Sequence, residues 1–195
     1  MPKTLQFYFD LMSPYSYLAA TQVEAVVART SGSLKWRPVY LPGVFKATGN
    51  TGPTAVMAKA MYTLKDLNDW AQWLKLRPMV LPSTFPFIAA QADRVALMLD
   101  EALVGRFVRH LGARIWHDGA DCSQPEVLAE AISAVGADPV ATMASAQTQE
   151  AKDRLRASTD ELVERNGYGV PTFFIGDEMF VGNDRLHFVE RAMRP

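Results

Sequence analysis

The chain has 195 residues, of which 49% are hydrophobic and 21% are charged, and its 20 basic and 21 acidic residues leave a net charge of −1. This length suits one large domain, or one domain with a sizeable insertion. A nearly neutral chain has no global field that would recruit nucleic acid or an anionic membrane, so we expect neither as a partner.

The only cysteine, Cys122, excludes an intramolecular disulfide and a multi-cysteine metal site. The neighbouring Asp121 disfavours a thiolate there. The histidines lie far apart and match no metal-ligand spacing, so we expect no metal. No apolar stretch is long enough to span a membrane, and the amino terminus lacks a signal-peptide pattern. Together these features predict a soluble cytoplasmic protein.

The first 42 residues carry the pattern of a strand, a helix and a second strand. Alternating apolar residues predict a buried strand over 4–9, a helix from 14 to about 30, and a strand over 34–41. Pro38 favours an edge position for the second strand, because proline cannot donate to a neighbouring strand. Two strands joined by one helix predict a right-handed parallel unit.

The middle of the chain changes character. Many turn residues predict a loop over 42–53, and from there to about 166 the apolar periodicity is helical. One apolar helix face is predicted from five residues at helical spacing: Met57, Met61, Leu64, Leu67 and Ala71. Further helices are predicted over 89–102, 107–116, 125–135 and 150–165, with a shorter one that begins at Pro139 after Asp138 as its cap.

The last 30 residues return to the first pattern. Residues 170–175 and 178–181 predict a hairpin, and Asp184 is expected to cap a helix over 185–193. The sequence therefore predicts one α/β domain interrupted by helices.

The segment Ser13-Pro14-Tyr15-Ser16 lies between the first predicted strand and helix. Ser13 suits the N-cap, and Pro14 suits the first helical position. The segment is a Cys-Pro-Tyr-Cys redox motif with serine in place of both cysteines, and thioredoxin-like folds carry that motif at this point. Disulfide exchange is excluded here, but a hydroxyl at a helix N-terminus can hold a thiolate supplied from outside.

Pro171 opens the next predicted strand, where an ordinary trans proline is one interpretation. Thioredoxin-like folds place a cis proline opposite the start of the first helix. Because the segment from Ser13 to Ser16 also fits such a fold, we favour a cis bond between Val170 and Pro171. The predicted fold is a thioredoxin-like domain (1–42 and 167–195) with an all-helical insertion (43–166).

Five segments, in the same order and at compatible spacings, resemble the 2-hydroxychromene-2-carboxylate isomerase family, which is close kin of kappa-class glutathione transferases and related to DsbA-type oxidoreductases. The segments are Phe7-Tyr8-Phe9-Asp10 with Ser13-Pro14-Tyr15-Ser16-Tyr17-Leu18; Phe45-Lys46-Ala47-Thr48-Gly49-Asn50; Lys59-Ala60-Met61-Tyr62; Gly169-Val170-Pro171-Thr172-Phe173; and Gly182-Asn183-Asp184-Arg185-Leu186. Kappa transferases typically carry serine in place of Asn183, which favours the isomerase.

The resemblance implies glutathione as cofactor. Ser13, within the segment that also holds Pro14 and Tyr15, would donate its hydroxyl to the glutathione sulfur. Val170, next to Pro171, would pair its backbone with the cysteinyl part.

The resemblance also implies contacts for the two ends of glutathione. Asn183 and Asp184 would hold the γ-glutamyl end, with Asp184 meeting the ammonium. Asn50 and Lys59 would contact the glutathione backbone or the substrate carboxylate, although Lys59 also suits a solvated helix face. Aromatic residues, foremost Tyr62, Trp70 and Phe85, would wall the substrate pocket, but most such residues lie in cores, so only a subset can do so.

The implied reaction converts 2-hydroxychromene-2-carboxylate to trans-o-hydroxybenzylidenepyruvate in naphthalene-type catabolism. Addition of a thiolate turns the double bond into a single bond, so that rotation and elimination give the isomer and return glutathione. Two alternatives remain: a kappa-like transferase that conjugates glutathione to electrophiles, and a non-catalytic thioredoxin-like binding module. Proteins related to this fold form dimers, so we expect a homodimer.

Overall fold

The computed structural model describes residues 2–194, and a four-stranded mixed sheet lies at its centre. Its strands are β1 (Thr4–Phe9), β2 (Ser33–Pro38), β3 (Thr172–Ile175) and β4 (Glu178–Val181), in the order β2-β1-β3-β4. β1 runs parallel to β2 and antiparallel to β3, and β3 pairs antiparallel with β4. The predicted parallel unit and carboxyl-terminal hairpin are confirmed, and Pro38 ends an edge strand.

Alternation along β1 gives the sheet two buried faces. Phe7 and Phe9 lie on one face, where the ring of Phe7 stacks on that of Phe173 with 4.9 Å between centroids. Tyr8 and Phe174 lie on the other face. Because both faces are covered, β1 is almost wholly buried.

Ten helices surround this sheet in the described residues. They are α1 (Pro14–Ala20), α2 (Val23–Ala28), α3 (Leu41–Thr48), α4 (Met57–Trp73), α5 (Ala90–Met98), α6 (Glu101–Asp118), α7 (Pro125–Ala134), α8 (Pro139–Gln147), α9 (Gln149–Glu164) and α10 (Leu186–Met193). As predicted, the Asp138 carboxylate caps α8 by accepting from two of its first backbone N–H groups. The α/β architecture with intervening helices is confirmed.

The predicted helix from 14 to about 30 is wrong in one respect, because it is broken into α1 and α2. The Leu18 carbonyl accepts from the Thr21 hydroxyl at 2.7 Å and from the Gln22 side chain at 2.9 Å, while the Gln22 backbone N–H turns to Ala19. Side chains that compete for a helical carbonyl favour such an interruption.

The prediction of a loop over 42–53 is also wrong, since the first half of this segment belongs to α3. No side chain of the preceding Tyr40 caps this helix. Instead, the Leu41 N–H donates to the Asp10 carboxylate at 2.8 Å. The cap comes from a residue 31 positions earlier, so no local pattern announces it. Pro42 in the first turn and Gly49 just after the helix are the local features that fit it.

The helix predicted from the spacing of Met57 to Ala71 is present as α4, and only the second half of its apolar face is buried: Leu67 and Ala71 are buried, whereas Met57 and Met61 are 77% and 67% exposed. One smaller prediction is wrong. Asp184 lies in a 3₁₀ turn (Asn183–Arg185) before α10 and does not cap that helix.

The helices of the predicted insertion (43–166), here called the helical block, flank the sheet on two sides. α6 packs along α1, and α5 contacts β2. α9 covers the second face, where Leu162 clusters with Tyr8 and Phe174. The end of the predicted insertion (43–166) therefore lies directly on the sheet, and the boundary itself stays a prediction. Among residues 2–194, no helix has the length and apolarity needed to cross a membrane.

Candidate active site

Ser13 is the N-cap of α1 and is only 6% exposed. Its Oγ accepts from the Ser16 N–H at 3.2 Å, and its hydroxyl donates to the Val170 carbonyl oxygen at 3.4 Å. The second bond is at the outer limit of hydrogen-bond length and is therefore weak. A hydroxyl has one proton and two lone pairs, so Ser13 can cap the helix and still give its proton to another acceptor.

Val170 faces Ser13 from the loop before β3. The bond from Val170 to Pro171 is cis, as predicted. The Val170 N–H has no hydrogen-bond acceptor in the part of the chain that the structure describes, so it is free to pair with a ligand.

A cavity of about 520 Å³, here called the Ser13 cavity, opens beside this hydroxyl. Its walls come from α1, α3, the loop before α5 and the loop before β3, and they are mostly apolar. Among its lining residues are Met12, Ser13, Leu41, Phe45, Asn50, Phe85, Phe87, Tyr168 and Val170. A cavity of this size and character suits a small aromatic molecule.

An aromatic cluster supports one wall of the Ser13 cavity. The rings of Phe85 and Phe87 lie 6.0 and 5.8 Å from the buried ring of Trp116. Because Trp116 is fixed in the core by α6, the wall has a rigid backing.

Asn50 joins the two loops at the opposite side of the cavity. Its Nδ2 donates to the Tyr168 carbonyl at 2.8 Å, and its Oδ1 accepts from the Gly52 N–H at 3.0 Å. A side-chain amide has two N–H donors, so one of them is left for a ligand.

A second cavity of about 390 Å³, the Asn183 cleft, adjoins the first. Tyr15, Val170 and Val181 line both cavities. Asn183 is 5% exposed, and its Nδ2 has no partner within residues 2–194. A buried unpaired donor is costly, so this amide favours a bound acceptor.

Two carboxylates stand at the mouth of the cleft. Asp66 accepts from the Tyr15 hydroxyl at 2.8 Å, and burial together with Asp66 raises the pKa of that phenol. Asp184 is half-exposed and pairs with Arg185 at 2.9 Å. Gly182 has a φ of 106°, and a Cβ there would lie 2.4 Å from Asp184 Oδ1, so this turn requires glycine.

The structure brings most, but not all, of the candidate residues together. Ser13, Pro14, Tyr15, Asn50, Phe85 and Val170 line the Ser13 cavity, and Tyr15, Val170, Pro171, Asn183 and Asp184 line the Asn183 cleft. Trp70 lines the cleft and not the Ser13 cavity, away from the other residues expected around the substrate. Lys59 and Tyr62 are exposed on α4 and line neither cavity.

Three acidic residues escaped the sequence analysis. Asp66 belongs to a helix of many charged residues and nothing marks it out. Asp10 and Asp93 are completely buried beside the Ser13 turn, and burial is the main cause that raises the pKa of Asp10 to about 6. One sign in the sequence could have identified Asp10: it is an acidic residue that directly follows a predicted buried strand.

Cys122 is buried, and burial, then Asp93 and Asp121, raises its pKa to about 12. The thiol therefore stays protonated, as the sequence indicated. Within residues 2–194, no group of three potential ligands is placed to hold a metal ion. The chemistry available at Ser13 is that of a hydroxyl donor beside an apolar cavity, which suits an external thiolate.

The fold and this site define a thioredoxin-like protein without redox cysteines. The family model of the DSBA-like thioredoxin domain matches residues 4–194, so the chain belongs to that family. Within it, the chain is 32% identical over 197 residues to 2-hydroxychromene-2-carboxylate isomerase of Sphingobium xenophagum, covering 97% of each chain.

Two further comparisons agree with this grouping. A solved structure of a 2-hydroxychromene-2-carboxylate isomerase superposes with a TM-score of 0.87 at 30% identity, covering 97% of this chain and 94% of the other. Glutathione S-transferase kappa 1 of Caenorhabditis elegans is 27% identical, covering 97% of this chain and 91% of the relative. The predicted thioredoxin-like fold and the resemblance to both families are confirmed.

Proposed function

We propose that the protein is a glutathione-dependent isomerase that converts 2-hydroxychromene-2-carboxylate to trans-o-hydroxybenzylidenepyruvate. The observation that carries this proposal is the place of the Ser13 hydroxyl. It borders an apolar cavity and donates to Val170, which also lines a polar cleft. The relatives named as isomerases at about 30% identity support the same activity.

The residues of the Asn183 cleft fit a γ-glutamyl group. Such a group carries a carboxylate and an ammonium. The unpaired Asn183 amide can donate to the carboxylate, and Asp66 and Asp184 can accept from the ammonium. The free Val170 N–H and its carbonyl suit the peptide part, since Val170 lies between the cleft and Ser13.

Ser13 would stabilise the ionised form of the cofactor. When bound, glutathione supplies a thiolate that adds reversibly to the conjugated double bond of the substrate. A free thiol with a pKa of about 8.5 is mostly protonated at neutral pH. A decrease of about two pKa units, which corresponds to roughly 2.7 kcal/mol, would make it mostly ionised. Because α1 has only seven residues, the Ser13 hydroxyl must contribute much of this, with less from a helix dipole.

The Ser13 cavity would hold the substrate ring against Phe85 and exclude water. Negative charge develops on the pyruvoyl side during the reaction, and a nearby donor would stabilise it. Asn50 lines the cavity and has a free N–H, so it is better placed for this than the exposed Lys59. We therefore assign Asn50 the contact with the enolate. Trp70 lines the Asn183 cleft, so we place it beside the γ-glutamyl group.

A kappa-like transferase is the second candidate, and the kappa-class relatives at 27% identity favour it. It would use the same thiolate and the same cavity. The two differ in stoichiometry, because an isomerase returns free glutathione after many turnovers and a transferase consumes it.

Calorimetric titration of glutathione from pH 6 to 9 tests the proposal. The wild type should bind and release a proton, whereas Ser13→Ala should bind with much less proton release. Ser16→Ala is the matched control, since the Ser16 hydroxyl has no partner among the described residues. Absence of binding at every pH would overturn both glutathione-dependent functions and leave a non-catalytic binding module.

We also propose a homodimer in the cytoplasm. Exposed apolar side chains on α4, among them Met57, Met61 and Trp73, support the dimer, and the cytosolic glutathione pool suits the location. Sedimentation velocity of the wild type tests the dimer, and a monomer at every concentration would contradict it.

A further inference from the structure

Asp10 and Asp93 are two carboxyl groups buried next to each other beneath the Ser13 turn. Asp10 follows β1, and Asp93 belongs to α5; their exposures are 1% and 0%. The Met12 N–H donates to one Asp10 oxygen at 2.7 Å, and the Leu41 N–H donates to the other at 2.8 Å. Both Asp10 oxygens therefore hold backbone groups that belong to the wall of the Ser13 cavity.

Asp93 completes this arrangement from the helical block. Its Oδ1 accepts from the Leu11 N–H at 3.2 Å, while its Oδ2 is buried without a donor in the described residues. Because Leu11 and Met12 are consecutive residues, their N–H groups hold the Asp93 and Asp10 carboxyls side by side. One proton between the two carboxyls removes one of two like charges, and it would let the unpaired Asp93 Oδ2 form a hydrogen bond.

Within residues 2–194, no cation forms an ion pair with either carboxyl and so takes the place of that proton. Arg94 is the nearby positive group, and its Nε is engaged with the Ala146 carbonyl at 2.7 Å. Cys122 is the other ionisable group that the pair affects, and its thiol is neutral. Burial of two carboxyls without an ion-pair partner favours one charge on the pair over two.

The pair controls the backbone on which Ser13 depends. Leu11 and Met12 precede Ser13, whose own N–H donates to the Asp10 carbonyl at 2.9 Å. Leu41 begins α3, which forms the facing wall. A change in the pair would therefore reach both sides of the cavity.

We propose that Asp10 and Asp93 share a single proton and act as positioning residues, holding the Ser13 turn and the start of α3 while the pair carries one negative charge. Loss of that proton at higher pH puts two like charges in a buried space and loosens both elements. The role assigned to Ser13 rests on the proposed function, whereas the shared proton rests on the geometry alone.

Asp93→Asn is the discriminating variant. An amide at this position can accept from the Leu11 N–H and donate to Asp10, so it keeps the contacts without titrating. The probe is S-methylglutathione, whose sulfur does not ionise. Between pH 5.5 and 8.5, its affinity for the wild type should fall by about threefold or more, while the variant should stay nearly constant.

Infrared spectroscopy provides a readout that needs no ligand. The wild type should show the carbonyl band of a buried carboxylic acid at neutral pH, and Asp93→Asn should lack it. Equal bands in both proteins, or the same pH dependence of binding in both, would overturn the proposal. If the wild type does not bind S-methylglutathione at all, the proposed function fails, and the infrared band still decides whether the proton is shared.

Discussion

The hydroxyl of Tyr17 on α1 lies 2.9 Å from Nε2 of His117 on α6. Nδ1 of the same ring lies 3.0 Å from the Pro78 carbonyl, which can only accept. Nδ1 therefore carries a proton, and in the neutral form of the ring Nε2 accepts from Tyr17. Gly112 allows this approach, since a Cβ there would lie 2.4 Å from the Tyr17 ring. This contact fixes α1, and with it Ser13, to the helical block.

Tyr17→Phe should lower the free energy of unfolding by about 1–3 kcal/mol, because it leaves the acceptor of His117 unpaired. Urea titration measures this. Tyr62→Phe is the control, since Tyr62 is exposed, and it should change the free energy by less than about 0.5 kcal/mol. Equal effects of the two variants would contradict a structural role for the contact.

Asn183→Ala should weaken glutathione binding by about 10–100-fold, because a hydrogen bond to a charged group is worth roughly 1.5–3 kcal/mol. Stability should hardly fall, since the Asn183 Nδ2 has no partner in the described residues of the protein. Calorimetry with glutathione and thermal unfolding measure the two effects. Unchanged affinity would contradict the proposal that the γ-glutamyl group binds in this cleft.

Asn50→Ala should reduce kcat with 2-hydroxychromene-2-carboxylate more than Lys59→Ala does. The reason is that Asn50 lines the Ser13 cavity, whereas Lys59 is exposed and lines neither cavity. Steady-state kinetics at saturating glutathione measure both. A larger loss from Lys59→Ala would mean that α4 closes over the substrate during turnover.

The stability of the protein should fall as pH rises, through the pair of Asp10 and Asp93. Burial raises the pKa of Asp10 to about 6 and that of Asp93 well above its usual range. A group whose pKa is raised by folding stabilises the native state below its unfolded pKa, near 4, and that stability is lost as pH rises through the folded value. Each proton released on unfolding lowers the free energy of unfolding by about 1.4 kcal/mol per pH unit.

Denaturation of the wild type and Asp93→Asn from pH 4 to 8 measures this slope. The variant should lose less stability across the range, because one of the two titrating groups is gone. The same slope in both proteins would mean that other groups dominate.

Local patterns were enough for the strands and for the Ser13 turn. The strand over 4–9 and the hairpin after Pro171 show alternation that no distant contact overrides, and Ser13 with Pro14 has the chemistry of a helix start. The sequence pattern did not predict α3, because the residue that caps it, Asp10, lies far away in the chain. The break after α1 depends on how Thr21 and Gln22 compete for one carbonyl, which a periodic pattern does not reveal.

The candidate site divides in the same way. Ser13, Asn183 and Asp184 stand in motifs with a recognisable spacing, so the resemblance placed them. Trp70 and Tyr62 occupy one helix at a spacing that fits either a core or a pocket. Only the folded structure shows that Trp70 lines the cleft and that Tyr62 is exposed. Asp66 and Asp93 depend entirely on which helices meet.

The burial of Cys122 has a practical meaning for a protein that would work with a small thiol. Cys122 is 3% exposed as part of the core and its thiol stays protonated, so oxidised glutathione and alkylating electrophiles find no reactive thiol on the described surface. Reagents that consume glutathione would therefore leave Cys122 unmodified. Activity lost because such reagents deplete glutathione should therefore return when fresh reduced glutathione is added.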